Sequence, residues 1–208
     1  MTKLTKFQVS VGVLIILHTI GTIGISSDLQ AWFVPLTPLN LVVSGYFVLR
    51  HSHRKGALLF GMIGLLAYLV EMLGVHSGWP FGDYVYGSAL GPQVFEVPLL
   101  IGLLWLLLLL GSVRFIKRWT KNRWIIAIGA GLIMTGLDFL IEPVAIKLDF
   151  WNWFGNEIPW NNYAGWFGTA TLLALLAQSD SRFGNNKVSE VFLFIQIGFF
   201  LSLNLLLG

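Results

Sequence analysis

Seven apolar stretches, each close to the length of a membrane span, restrict what this chain can fold into more than any other feature. They run from roughly Phe7 to Ile25, Ala31 to Leu49, Ala57 to Gly74, Val94 to Ser112, Trp124 to Ile146, Trp160 to Gln178 and Val188 to Leu207. A helix crosses about 30 Å of hydrocarbon with about 20 apolar residues, so the 208 residues hold these spans and little else. Only 11% of residues are charged and the mean hydropathy is +0.76, against about 25% charged in ordinary soluble domains. A soluble core cannot absorb that much apolar surface. The expectation is an all-α, polytopic membrane bundle of about seven helices, one domain over residues 1–208.

Basic residues orient the bundle. Lys3 and Lys6 precede the first stretch, while Arg50, Arg54, Lys55, Arg114, Lys117, Arg118, Lys121, Arg123, Arg182 and Lys187 fall in alternate loops, leaving only Lys147 on the other side. The positive-inside rule then makes the N-terminus cytoplasmic and the C-terminus external, as in a cell (inner) membrane protein. Lys3 and Lys6 before an apolar run imitate a signal peptide. However, the run is long, no A-x-A-like cleavage site follows, and six more stretches come after it, so it reads as a helix that stays. A net charge of +3, distributed by membrane side rather than gathered in a groove, sets nucleic acid aside. The chain has no cysteine, which excludes disulfides, thiolate chemistry and cysteine metal sites.

Two outer connections depart from ordinary loops. Residues 75–93 read VHSGWPFGDYVYGSALGPQ and residues 147–163 read KLDFWNWFGNEIPWNNY, rich in glycine and proline for tight turns and in aromatics for the interface. A loose W-x-x-G likeness between them makes an internal duplication conceivable.

The acidic residues crowd towards the same side. Asp28, Glu71, Asp83, Glu96, Asp138, Glu142, Asp149 and Glu157 belong to the outer half, against Asp180 and Glu190 at the cytoplasmic side. Glu71 is expected near the outer end of the third helix, Glu96 at the opening of the fourth, and Asp138 and Glu142 in the outer half of the fifth. A charge at mid-membrane costs about 2.5 to 3.5 kcal/mol, so such groups face a cavity or a partner rather than lipid. Spacing by four puts Asp138 and Glu142 on one helix face. Two acids held together in low dielectric do not both ionise easily, and a carboxylic acid that keeps its proton at neutral pH is what general-acid catalysis requires. Pro143 is expected to bend or stop the helix beside them. Singly, Glu71, Asp83 and Glu96 could equally reach the interface. His76, on an irregular segment after Glu71, is a supporting proton relay or hydrogen-bond partner. No multi-histidine set suggests a metal.

Tryptophan is skewed in the same way: Trp32, Trp79, Trp151, Trp153, Trp160 and Trp166 lie outside, Trp119 and Trp124 inside, and Trp105 within the fourth helix. Plain aromatic anchoring explains any one of them. Together with Phe81, Tyr84, Tyr86, Phe150, Phe154 and Tyr163, the excess suits a flat conjugated or polyprenoid ligand, and aromatic faces stabilise cations by up to about 2 kcal/mol when desolvated.

The string from Glu71 through His76, Trp79-Pro80-Phe81-Gly82-Asp83-Tyr84 and Tyr86 to Leu90-Gly91-Pro92 and Val97-Pro98 resembles the membrane carotenoid biosynthesis protein family. A second block agrees: Asp138-Phe-Leu-Ile-Glu142-Pro143-Val144-Ala145, Trp151-Asn-Trp153, and Ile158-Pro159-Trp160-Asn161-Asn162-Tyr163-Ala164-Gly165-Trp166. The resemblance implies a carotenoid hydratase, a carbon-oxygen lyase that adds water across the terminal double bond of an acyclic ψ end group. Its partners would be the carotenoid, water and the bilayer, and it would need no cofactor. Asp138 and Glu142 would share the proton-donor and base roles, with Glu71, Asp83, Glu96 and His76 as further candidates. Trp79, Phe81, Tyr84, Tyr86, Trp151, Trp153, Asn161, Asn162 and Trp166 would contact substrate. A lycopene-type cyclase begins with the same protonation, and a carotenoid or lipid carrier or a proton-coupled transporter needs no reaction at all. A retinal photoreceptor is excluded because the last stretch has no lysine for a Schiff base.

Overall fold

A computed structural model describes residues 4–155 and 157–208. The long helices are α1 (Lys6–Ile25), α3 (Thr37–Leu49), α4 (Ala57–Ser77), α5 (Ile101–Ile116), α6 (Arg123–Lys147), α7 (Trp160–Ala177) and α8 (Lys187–Leu207). A single turn, α2 (Gln30–Phe33), precedes α3. The second apolar stretch is thus jointed: α2 passes through a 3-10 turn at Val34–Leu36 into α3, where Pro35 and Pro38 withdraw backbone donors. Lys6–Ile25, Gln30–Leu49, Arg54–Ser77, Arg123–Lys147 and Lys187–Leu207 are long and apolar enough to cross a membrane. Ile101–Ile116 is apolar but shorter. The protein is a helical membrane bundle.

Small residues let the helices approach. A side chain on Gly64 of α4 would press on the Gly102 carbonyl of α5 at 3.3 Å, and one on Gly111 of α5 would meet the Ser189 carbonyl of α8 at 2.5 Å. Without a hydrophobic driving force between helices in lipid, such close packing is what holds a bundle together. At the basic end, Asn186 caps α8 through its side-chain oxygen while its amide donates to the Val48 carbonyl at 2.7 Å and to Ser52 at 2.9 Å.

The opposite end carries two short sheets. Strand β1 (Tyr84–Tyr86) pairs antiparallel with β4 (Trp151–Trp153), Tyr84 opposite Trp153 and Tyr86 opposite Trp151. Strands β2 (Gln93–Val94) and β3 (Val97–Pro98) form a hairpin, held to α4 by the Tyr68 hydroxyl donating to the Val94 carbonyl at 2.6 Å.

Two sequence expectations change here and a third is narrowed. The fourth helix begins at Ile101 rather than Val94, because Phe95 and Glu96 sit at φ 49° and 61° at the tip of the hairpin, a left-handed backbone that no helix continues. Glu96 therefore does not open a helix. Pro143 does not stop α6, which runs on to Lys147. His76 is in the last turn of α4 rather than on an irregular segment; Gly78 ends that helix at φ 70°.

Candidate active site

Beneath the β1–β4 pair, three carboxyl groups are buried: Glu71 on α4, and Asp138 and Glu142 one turn apart on α6. Side chains alternate across a strand, so Tyr84, Tyr86, Trp151 and Trp153 all turn inward, while Val85 and Asn152 turn away. The four inward residues are aromatic and each carries a polar hydrogen. The two phenols donate to Glu71 Oε2 at 2.6 and 2.7 Å. The two indoles donate to Glu142 Oε2, Trp151 at 3.1 Å and Trp153 at 2.8 Å.

Each carboxylate takes one more donor from the helix that follows its strand. Trp105 Nε1 of α5 donates to Glu71 Oε1 at 2.8 Å, and Asn162 Nδ2 of α7 donates to Glu142 Oε1 at 3.0 Å and to Asp138 Oδ2 at 2.7 Å. A repeated unit emerges, in which a helix supplies the carboxylate, the next strand two aromatic donors and the next helix a third donor. This repeat in space echoes the loose sequence likeness of the two outer connections. Gly165 makes room for the arrangement: a side chain there would overlap the Phe81 ring at 2.7 Å and the Pro80 carbonyl at 3.0 Å.

Burial, and next the neighbouring Glu71 carboxylate, hold the Tyr84 and Tyr86 phenols well above the usual tyrosine range. Both therefore remain donors at any physiological pH. Asp138 differs from the two glutamates, because its Oδ1 is buried without a hydrogen-bond partner among the described residues. None of the ion pairs among those residues involves Glu71, Asp138 or Glu142. Three buried acids without a cation cannot all carry charge, since an uncompensated buried ion costs several kcal/mol, about the same for each. The site is acidic, closely hydrogen-bonded and, among the described residues, without a resident counter-charge. Such an arrangement favours positive charge that develops transiently.

Between Glu71 and Glu142 lies a cavity of about 20 Å³, walled by Tyr84, Trp153, Asn162, Trp166 and aliphatic side chains that include Ile101, Leu104 and Ile141. That is room for about one water molecule with polar groups to hold it. Trp166 stacks on Trp105 with ring centroids 4.1 Å apart, so aromatic faces and carboxylates border the same small space.

The remaining sequence candidates lie elsewhere. Glu96, at the hairpin tip, is exposed and faces exposed His76 at 3.9 Å. Asp83 and Asn161 are exposed, as is Trp79, and none belongs to the buried network. Trp32 and Trp160, 77% and 86% exposed, suit interfacial anchors. Trp105 was missed as a site residue; a buried indole N–H within a span needs an acceptor, and Glu71 is that acceptor.

Fold and site together define a class: a helical membrane protein with a closed carboxylate-aromatic cage at one end of the bundle. The chain belongs to the carotenoid biosynthesis protein family, whose profile matches residues 33–205. It is similar to the bisanhydrobacterioruberin hydratase of Haloarcula japonica, 31% identical over 159 residues covering 69% of this chain and 50% of that one. The chain thus spans about half the length of that relative. No solved structure matches.

Proposed function

We propose that the protein is a carotenoid hydratase that adds water across the terminal trisubstituted double bond of an acyclic end group. The observation that carries this reading is the cage itself: two carboxyl groups from different helices facing one water-sized, aromatic-walled cavity with no cation among the described residues. The name of the Haloarcula relative points the same way.

Asp138 and Glu142, bridged by the Asn162 amide, hold a proton between them. Glu142, which faces the cavity, delivers it to the less substituted alkene carbon; the π electrons form the new C–H bond and leave a tertiary carbocation. Glu71 and the Trp166 face shelter that cation. Water attacks it, forming the C–O bond, and the proton it sheds passes to the Glu71 carboxylate. That proton returns across the cavity to the Asp138–Glu142 pair, and nothing is oxidised or reduced. A cyclase shares the first step and differs in the quench, losing a proton after ring closure instead of capturing water, and the water-sized, polar-edged cavity favours water capture. Asp83, Glu96 and His76, all exposed, have no part in this mechanism, and the working membrane is the cell (inner) membrane.

Expression in a bacterium that accumulates lycopene, followed by chromatography with mass detection, tests the reading. A new pigment heavier by one or two waters supports it. An isomer of unchanged mass would replace it with cyclisation, and bound pigment without product would replace it with a carrier.

A further inference from the structure

A second, larger space of about 240 Å³ lies between α1, α3 and α8. Leu104, Ile141 and Trp151 line both this groove and the carboxylate cavity, so the two spaces are separated by one layer of side chains. Its walls run from Leu17 to Ile25 on α1 and from Phe192 to Phe200 on α8, a rise of about 12 Å along each helix. Its outer rim includes Ile20, Leu36 and Leu39, which are 50%, 49% and 59% exposed. The groove therefore opens sideways, where the bundle meets lipid, rather than to water.

The chemistry of the lining selects the occupant. Among the described residues no Lys, Arg, Asp or Glu borders the groove, so a prenyl diphosphate finds no counter-charge there and a charged headgroup none either. The polar groups are neutral. His18 Nδ1 donates to the Leu14 carbonyl at 2.8 Å, which leaves Nε2 to accept from the Gln196 amide at 2.7 Å. Across from them, Ser44 donates to Asn40 at 3.0 Å. A neutral, elongated hydrocarbon fits this lining, and pockets for such ligands are mostly apolar with few polar groups.

We infer that the groove between α1, α3 and α8 is the polyene-binding site, admitting a neutral isoprenoid chain laterally from the bilayer and delivering its end group past Leu104, Ile141 and Trp151 to the carboxylate cavity. The inference rests on the proposed hydration for what happens at the inner end, but not for the binding itself.

Gly21→Leu tests it. A Cβ at Gly21 meets only the Phe199 ring at 3.5 Å and Asn40 at 3.9 Å, so the helix tolerates a side chain that then extends into the groove. Val43→Phe narrows the same space from α3 and serves where Gly21→Leu does not fold. Full-length protein in nanodiscs is titrated with lycopene, read by tryptophan quenching, and assayed for turnover of lycopene and of a short acyclic terpene with the same end group. The expected result is lycopene binding weakened by about 5- to 100-fold, the range that overpacking a filled site costs. KM for lycopene rises in parallel, and turnover of the short terpene is unchanged. Unaltered lycopene binding and KM in folded variants would overturn the groove while leaving hydration standing. Binding that is lost in the variants, from a wild type that forms no hydrated product, would keep the groove and remove the hydratase reading.

Discussion

Replacing Asn162 by alanine removes the one group among the described residues that donates to both acids of α6. Its Nδ2 donates to Asp138 at 2.7 Å and to Glu142 at 3.0 Å, in a side chain only 2% exposed. A hydrogen bond to a charged acceptor is worth about 1.5 to 3 kcal/mol. The two bonds share one nitrogen and are not additive, so the expected loss of transition-state stabilisation is about 2 to 4 kcal/mol. At tenfold per 1.36 kcal/mol, that is a fall in kcat of about 30- to 1,000-fold. Trp151 and Trp153 still hold Glu142, so the protein should fold, and the effect should appear in product formed per unit of folded protein in isolated membranes. The double variant N162A/E142Q should be no slower than E142Q alone, because Asn162 acts through the carboxyl that the second change disables. Activity of N162A within twofold of wild type, or losses that simply multiply in the double variant, would refute this account of the acid pair.

Tyr86→Phe takes one of three donors from Glu71 and should cut kcat by about 10- to 100-fold with little change in KM, measured in the same membranes. Gly165→Val drives a side chain into Phe81 and the Pro80 carbonyl; it should unseat the loop that leads into β1, lowering the melting temperature and abolishing turnover together. Glu190→Ala, far from the cage, deprives Arg114 and Arg118 of the carboxylate that they approach at 3.4 and 3.0 Å. It should cost about 3 kcal/mol of stability by thermal melting, with turnover per folded molecule unchanged.

Hydropathy made the helices legible, since each must satisfy its backbone internally and cover it with apolar side chains. The acid pair was legible for a related reason: two carboxyl groups at i and i+4 in a span have few places to go. The β1–β4 pair was not. Tyr84–Tyr86 and Trp151–Trp153 are three residues each, too short for alternation to register, and they pair across two helices of intervening chain. Glycine- and proline-rich composition identified these segments as irregular without showing that they cross. Trp105 escaped notice because its meeting with Glu71 depends on the packing of α4 on α5, which the Gly64–Gly102 contact sets. Glu96 misled because an apolar run resumes around it, while the turn that lifts it clear is a matter of backbone conformation. The groove has walls from both ends of the chain, and no local pattern announces it.

The most direct test of the carboxylate cage is the hydrated pigment made by membranes that contain equal amounts of wild-type protein and E142Q, supplied with lycopene in water labelled with heavy oxygen. Wild-type membranes should yield a pigment carrying the label as a tertiary hydroxyl, and E142Q should form it about 100-fold or more slowly while still binding lycopene. Labelled product from E142Q at the wild-type rate would contradict the account.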